Sequence, residues 1–168
     1  CQKGGEMASP KSKIQNLKSE IRLLMIGGQV GDSDPANKAY LEKVRALIQE
    51  LGLAERVLWT GFAAPPEVSA HLLAADIAVL PYREGANLRH GSLHACLAHG
   101  LPIVSTEYGV RSRGGNPSVP RSPSSLLVNG QNVCLVPPDN PAALAQAVAS
   151  LAASPEERRR LGKGAREL

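Results

Sequence analysis

The apolar residues of this chain are grouped in short continuous runs, and these runs alternate with amphipathic stretches. Runs of this length are typical of strands buried in a parallel sheet, and they lie at 21–26, 57–60, 77–80, 102–105 and 133–136. Most of the intervening segments repeat apolar residues at helical spacing and begin or end at Pro or Gly. The alternation predicts an α/β fold, a parallel sheet flanked by helices.

Helices are predicted at 11–20, 35–51, 65–74 and 142–152, with two more that begin near Gly91 and at Pro155. In the second of them, six residues at helical spacing are predicted to form the core face: Tyr40, Leu41, Val44, Leu47, Ile48 and Leu51. The segment 107–125 is rich in Gly, Pro, Ser and Arg and is predicted to be a mobile loop. Asn129-Gly130 is either a hairpin turn or, by the family resemblance described below, a loop that leads into the last strand.

One polar loop carries the candidate chemistry. It leaves the strand at 77–80 and ends where a helix begins, near Gly91 and Ser92. Backbone N–H groups at a helix start have no partner within the helix, and together with the helix dipole they favour a bound anion. Glu84, Asn87 and Arg89 offer hydrogen bonds of the kinds that sugars and phosphates accept or donate. Because a cation is unfavourable at a helix start, a bound diphosphate would explain Arg89.

The strand, loop and helix resemble the donor-binding segment of GT-B glycosyltransferases of the family 4 group. The matching letters are ADIAVLPYREG at 75–85 and ACLAHGLPIVST at 95–106. Further matches lie at 3–4, 23–28, 51–62 and 129–144, so the resemblance covers nearly the whole chain. It implies that residues 1–168 form a Rossmann-like, C-terminal, donor-binding domain, one half of a GT-B fold, and that an N-terminal acceptor domain belongs to the parent protein.

The resemblance also implies an activity. The parent enzyme would transfer a hexose from a nucleotide diphosphate sugar to an unknown acceptor, with retention of configuration and without a metal or cofactor. Glu84 and Arg89 are the expected catalytic residues, and the isolated chain is expected to bind the donor only. The expected donor-binding residues are Lys3, Gly28, Phe62, Glu84, Gly85, Ala86, Asn87, Leu88, Arg89, Gly91 and Ser92.

Two alternatives remain open from the sequence. The first is a GT-B epimerase that acts on UDP-sugars, which would need several ionisable residues around the sugar. The second is a nucleotide-sugar-binding domain without turnover. It is favoured by Ala95, which stands where the family pattern has its second Glu.

Composition limits the other classes of function. The net charge of +4 suits anionic ligands, but the basic residues are scattered and aromatic residues make up only 3%, which argues against a dedicated nucleic-acid partner. His90, His94 and His99 have no Cys or carboxylate at a recognisable ligand spacing, so no metal site is predicted. The Arg run at 158–160 is predicted to be a solvated helix face.

The expected location is the cytoplasm, with peripheral membrane attachment as a second option. The three cysteines are scattered and odd in number, and the first residues lack the apolar stretch of a secretory signal.

The match at Lys3 has a consequence for the sheet. In the doubly wound strand order, the strand that precedes this Lys lies between the strands at 23–26 and 77–80. Lys3 is almost the first residue of this sequence, so the sequence does not contain that strand. The strands at 23–26 and 77–80 would then each expose a ladder edge, and we predict that they pair directly or bind another chain, with homo-oligomers as one outcome.

Overall fold

The computed structural model describes residues 21–27, 35–108 and 126–168. The helix predicted at 11–20, the mobile loop beyond residue 108, and the candidate residues Lys3 and Gly28 lie outside them. Contacts divide the chain into two units, Cys1–Val68 and Ser69–Leu168. Among the described residues, the helices are all too short or too polar to cross a membrane.

The first unit contains two parallel strands and one long helix. β1 (Leu23–Met25) pairs with β2 (Val57–Trp59), and Leu24 lies opposite Leu58. Between them lie α1 (Pro35–Glu50) and a 3-10 turn (Ala54–Arg56). α1 ends where predicted, since Gly52 has the positive φ of 63° that terminates many helices. α2 (Pro65–Ala74) extends across the division between the units.

Two predictions about the first unit are wrong. Leu23 and Met25 are 47% and 37% exposed, so β1 is not covered on both faces; β2 is its one ladder partner among the described strands. Among the described side chains of α1, residues 37–50, the partly buried ones are Leu41, Val44 and Ile48. The rest of the predicted core face is exposed: Tyr40, Leu47 and Leu51.

The second unit is a three-stranded parallel sheet with helices between and after the strands. The strand order is β3-β4-β5, and both neighbouring pairs are parallel. This topology confirms the α/β prediction. The elements, in chain order, are β3 (Ala78–Leu80), α3 (Gly91–Ala98), β4 (Ile103–Thr106), β5 (Cys134–Val136), α4 (Pro141–Ala153) and α5 (Pro155–Arg166).

β4 is the centre of this unit. All four of its residues are buried, and Ile103 and Val104 have no exposed surface. Val104 packs with Leu151 of α4 and Leu161 of α5, which places both helices against the sheet. Asn129 and Gly130 lead into β5 rather than forming a hairpin, since residues 126–128 form no strand and the isolated bridge between Asn129 and Val133 is parallel.

The last two helices begin at capped residues followed by Pro. The Asn140 side chain accepts the Ala143 N–H, and the Ser154 side chain accepts the Glu157 N–H. The prediction of a solvated Arg face on α5 is wrong for Arg158. Its guanidinium donates to the carbonyl oxygens of residues 151 and 152, at 2.7 and 2.8 Å, and so stabilises the end of α4.

The predicted pairing of β1 with β3, or of either with another chain, concerns strands of different units and stays a prediction. Within the first unit β1 pairs with β2, and within the second unit β3 pairs with β4. Both pairs are parallel, and Lys3 lies outside the described residues.

Leu93 provides a test of the core of the second unit. It lies on α3 with no exposed surface, whereas Leu73 on α2 is 69% exposed. We expect Leu93→Ala to lower the free energy of unfolding by about 2–5 kcal/mol, because it removes buried methyl groups and leaves a cavity. Urea unfolding should show at most a small change for the control, Leu73→Ala. Equal losses for the two variants would contradict this description of the core.

Candidate functional site

The loop between β3 and α3, residues 81–90, is fixed to β4 by its backbone. The Ala86 N–H donates to the carbonyl oxygen of Thr106 at 2.8 Å, and the Thr106 hydroxyl donates to the carbonyl oxygen of Tyr82. One residue earlier in β4, the Ser105 hydroxyl donates to the carbonyl oxygen of Leu80 at 2.6 Å. These bonds join the carboxyl ends of two adjacent parallel strands, where open α/β sheets bind their ligands.

Gly85 is required at its position for two reasons. Its φ of 89° is one that side-chain-bearing residues rarely adopt. A Cβ atom at this position would also overlap the backbone of Glu107 and Tyr108. The 81–90 loop can therefore lie against the end of β4 only because residue 85 lacks a side chain.

Tyr82 and His90 fasten the two ends of the loop to each other. Their rings are stacked, with centroids 3.7 Å apart and an angle of 9° between the planes. The Tyr82 hydroxyl lies 2.7 Å from the hydroxyl oxygen of Ser92, on the first turn of α3. Burial raises the pKa of the Tyr82 hydroxyl above its usual value, which keeps the phenol protonated and able to form this hydrogen bond.

Asn87 organises the residues just before the helix. Its side-chain oxygen accepts the backbone N–H of Arg89 at 2.9 Å, which is a local turn typical of Asn. Its side-chain nitrogen lies 3.1 Å from Nε2 of His90. The backbone at Arg89 is therefore held by a side chain that is itself held by the stacked His90 ring.

The start of α3 presents free hydrogen-bond donors. His90 occupies the capping position but forms no side-chain bond to the helix, and the N–H groups of Gly91 and Ser92 have no acceptor among the described residues. The Arg89 side chain is exposed and has no carboxylate within ion-pair distance in the described part of the chain. This end of the helix thus combines backbone N–H groups and a guanidinium, which together suit a phosphate.

Glu84 adds a carboxylate to the same loop. Its side chain is 61% exposed, and one of its oxygens lies 3.5 Å from Nε2 of His90. A carboxylate with this exposure can accept hydrogen bonds from sugar hydroxyl groups.

A pocket of about 360 Å³ opens beside this loop, at the carboxyl ends of all three strands of the sheet. This volume lies within the range usual for small-molecule sites. The lining residues come from the ends of β3, β4 and β5 and from the start of α4; they include Tyr82, Arg83, Thr106, Val136 and Asp139.

The structure brings together most of the residues predicted for the site. Glu84, Gly85, Ala86, Asn87, Leu88, Arg89, Gly91 and Ser92 all lie on the 81–90 loop or the first turn of α3, and their roles in donor binding stay predictions. Phe62 belongs to the first unit and is 89% exposed, so its role as a donor-binding residue stays a prediction. The same holds for Lys3 and Gly28, which are not among the described residues.

The three candidate metal ligands make separate hydrogen bonds. His94 contacts the carbonyl oxygen of Leu88, whereas His99 contacts the carbonyl oxygen of Ala95 and the hydroxyl of Ser69. His90 instead belongs to the loop network described above.

Sequence reasoning missed Tyr82 and Thr106 and considered His90 only as a metal ligand. Tyr82 could have been found from its place directly after Pro81, at the end of the strand. The stacking partner eight residues later has no sequence signal, because it depends on the path of the loop.

Comparison with known proteins identifies the family. Residues 8–154 match the family model described as glycosyl transferases group 1. The chain belongs to this family. A GDP-mannose-dependent alpha-(1-6)-phosphatidylinositol monomannoside mannosyltransferase of Mycobacterium tuberculosis is 31% identical over 99 residues, which are 56% of this chain and 25% of the relative.

Solved structures agree with the fold. HepE of Anabaena, solved in complex with UDP, superposes with a TM-score of 0.66 at 16% identity, over 94% of this chain and 39% of that one. The C-terminal domain of the group 1 glycosyl transferase LpcC from Francisella tularensis superposes with a TM-score of 0.63 at 14% identity, over 96% of this chain and 91% of that one. The prediction of a Rossmann-like domain, as found in one half of a GT-B glycosyltransferase, is confirmed.

The comparisons also bear on the two alternatives. The matched family and the mannosyltransferase relative are transferases, so neither an epimerase nor a domain without turnover is favoured. The chain spans only a quarter of that relative's length, and its activity therefore belongs to the proposal below.

Gly85 gives a direct test of how the loop is seated. Gly85→Ala should lower the free energy of unfolding by about 1–3 kcal/mol more than Gly130→Ala, because both positions have positive φ but only a Cβ atom at residue 85 meets backbone atoms. Denaturant unfolding of the two variants measures this difference. If the two substitutions cost the same, the loop does not lie against the end of β4 as described.

Proposed function

We propose that this chain is the nucleotide-sugar-binding domain of a retaining glycosyltransferase that transfers a hexose. The observation that carries the proposal is the start of α3, where two N–H groups have no acceptor among the described residues and the exposed Arg89 directly precedes the capping residue His90. In the proposed complex the donor diphosphate binds there, and the sugar extends towards Glu84.

In the proposed mechanism, the positive end of α3 stabilises the diphosphate leaving group. When the bond between the sugar and the diphosphate breaks, negative charge develops on the diphosphate oxygen. Arg89 and the N–H groups of Gly91 and Ser92 stabilise that charge, and the loop needs little rearrangement because its backbone is already fixed to β4. Positive charge from these groups makes a metal ion unnecessary in this proposal.

Glu84 is proposed to orient the sugar. It lies on the same loop as Arg89, and its carboxylate is exposed, so it can accept hydrogen bonds from hydroxyl groups of a sugar linked to the diphosphate. The donor nucleotide is left open by the known relatives, since the mannosyltransferase is named for GDP-mannose and HepE was solved with UDP.

The domain assignment is also a proposal. Residues 1–168 would form the C-terminal, donor-binding domain of a longer enzyme, whose N-terminal domain holds the acceptor. The superposition over 91% of an isolated C-terminal domain from the same family supports this extent. The retaining stereochemistry, the acceptor and a cytoplasmic location, with peripheral membrane attachment as the second option, stay predictions.

Arg89→Ala should weaken binding of a nucleoside diphosphate while leaving binding of the nucleoside nearly unchanged. A lost charge-assisted hydrogen bond costs about 1.5–3 kcal/mol, or roughly ten- to a hundredfold in affinity. Calorimetric titration with UDP, GDP and the two nucleosides measures the effect. Arg159→Ala, which removes the same charge from the exposed side of α5, is the control. An equal loss for nucleoside and diphosphate would refute the role of Arg89.

The isolated chain should bind the donor without transferring its sugar to an acceptor. Orientation of the two reactants supplies much of the rate, and this chain is proposed to contain only the donor side. The measurement is transfer from radiolabelled UDP- and GDP-sugars to a panel of lipid and sugar acceptors, with release of free sugar scored separately. Rapid transfer by the chain alone would show that it is a complete enzyme.

A further inference from the structure

We propose that His90 is a positioning residue that controls how Glu84 meets the donor sugar, and that it does so through its protonation state. Neutral His90 holds Asn87 and leaves the Glu84 carboxylate free, whereas protonated His90 takes Glu84 as an ion-pair partner. The protein-only part of this inference stands on geometry alone, and its ligand part rests on the proposed function.

The hydrogen bonds of Asn87 assign the proton on the imidazole. The Asn87 side-chain oxygen must accept at Arg89, because its partner there is a backbone N–H. The other end of the amide, an NH₂ group, therefore faces Nε2 of His90 at 3.1 Å. Since an NH₂ group only donates, Nε2 must accept, and the neutral ring carries its proton on Nδ1.

Glu84 faces the same nitrogen. Its carboxylate oxygen lies 3.5 Å from Nε2 of His90, which in the neutral ring presents a lone pair. Two acceptors do not bond to each other, so in this state the Glu84 carboxylate stays available to a ligand.

Protonation of Nε2 reverses both contacts. The new N–H points a donor at the NH₂ group of Asn87, which breaks that hydrogen bond, and it gives Glu84 a charged donor at close range. The pair with His90 then competes with the sugar hydroxyl groups for Glu84, and the turn at Arg89 loses the support of Asn87.

Few titratable groups of the described residues lie near the His90 ring, so a change in its protonation acts on the residues of the 81–90 loop. His90 is mostly buried, with 19% of its side chain exposed, and one face is covered by the stacked ring of Tyr82. The titratable groups that the described structure places against the ring are Glu84 and Tyr82. Arg89 and His94 are the charged or titratable groups next to it in the chain, and His94 is engaged with the carbonyl oxygen of Leu88.

The consequence is a pH dependence of the contact between Glu84 and the sugar. Histidine changes charge between about pH 5 and pH 8. On acidification, a protonated ring next to the helix start favours the diphosphate, but it removes Glu84 from the sugar. The terminal phosphate of a bare nucleoside diphosphate also gains a proton in this range, since phosphate monoesters have a second pKa of about 6. The effect of His90 is therefore the difference between two proteins: from about pH 8 to about pH 5.5, the affinity advantage of a nucleotide sugar over the bare diphosphate should become roughly three- to tenfold smaller in the wild type than in His90→Gln.

The ligand test uses His90→Gln, which keeps an acceptor near the position of Nε2 and cannot be charged. Calorimetry with UDP, UDP-glucose, GDP and GDP-mannose should show in His90→Gln only the pH dependence that ionisation of the bare diphosphate imposes, and in the wild-type chain an additional fall in the advantage of the sugar donor. His71→Gln, on α2, is the control and should behave as the wild type. A fall of the same size in His90→Gln would overturn the proposal.

A second readout needs no ligand. Nitrogen NMR of the ring at about pH 8 should find the proton on Nδ1, and the Arg89 amide signal should move on acidification in the wild type but not in His90→Gln. A proton on Nε2 at that pH, or the same movement in both proteins, would overturn the inference. If these signals behave as expected and no nucleotide binds, the proposed function fails while the role of His90 in the loop holds.

Discussion

The candidate site depends on the close approach of one loop to the end of one buried strand. The 81–90 loop reaches β4 through the Ala86 N–H and the Thr106 hydroxyl, and only a glycine at position 85 lets the two backbones come this near. β4 is buried along its whole length and holds α4 and α5 through Val104. The packing of the second unit therefore fixes the loop, and the loop fixes the residues proposed to bind the donor.

The polar contacts within the loop then determine what it can bind. Stacking of Tyr82 on His90 joins the strand end to the helix start, and Asn87 sets the backbone before Arg89. None of these contacts uses the N–H groups of Gly91 and Ser92, which stay available at the positive end of the helix. An anion held there would gain from donors that are already oriented, so little ordering entropy would be lost on binding.

The sequence predicted the elements of the second unit well because its signals are local. Pro141 and Pro155 mark the starts of α4 and α5, and the apolar run at 102–105 became the buried strand β4 with a shift of one residue. Prediction was weaker for α1, where helical spacing is right but Tyr40, Leu47 and Leu51 are exposed. The helical periodicity of apolar residues shows that a helix has an apolar face, but the fraction of that face that is buried depends on the elements that pack against it.

The same distinction applies to the site. Its residues could be placed on one loop from the motif and the helix start, but the stack of Tyr82 on His90 and the orientation of Asn87 depend on the path of the loop in space. Strand pairing likewise depends on more than local signals. The expected pairing of β1 with β3 came from the family's strand order, whereas the pairings that the structure describes lie within each unit, β1 with β2 and β4 with β3 and β5.

Amide NMR of the isotope-labelled chain can show whether the positive end of α3 holds a diphosphate. The chain is titrated with UDP or GDP and, as a control, with uridine or guanosine. The amide signals of Gly91 and Ser92 should move most with either diphosphate and little with the nucleosides. Binding of a diphosphate that leaves these two signals in place and moves those of the Arg-rich helix α5 instead would contradict binding at the positive end of α3.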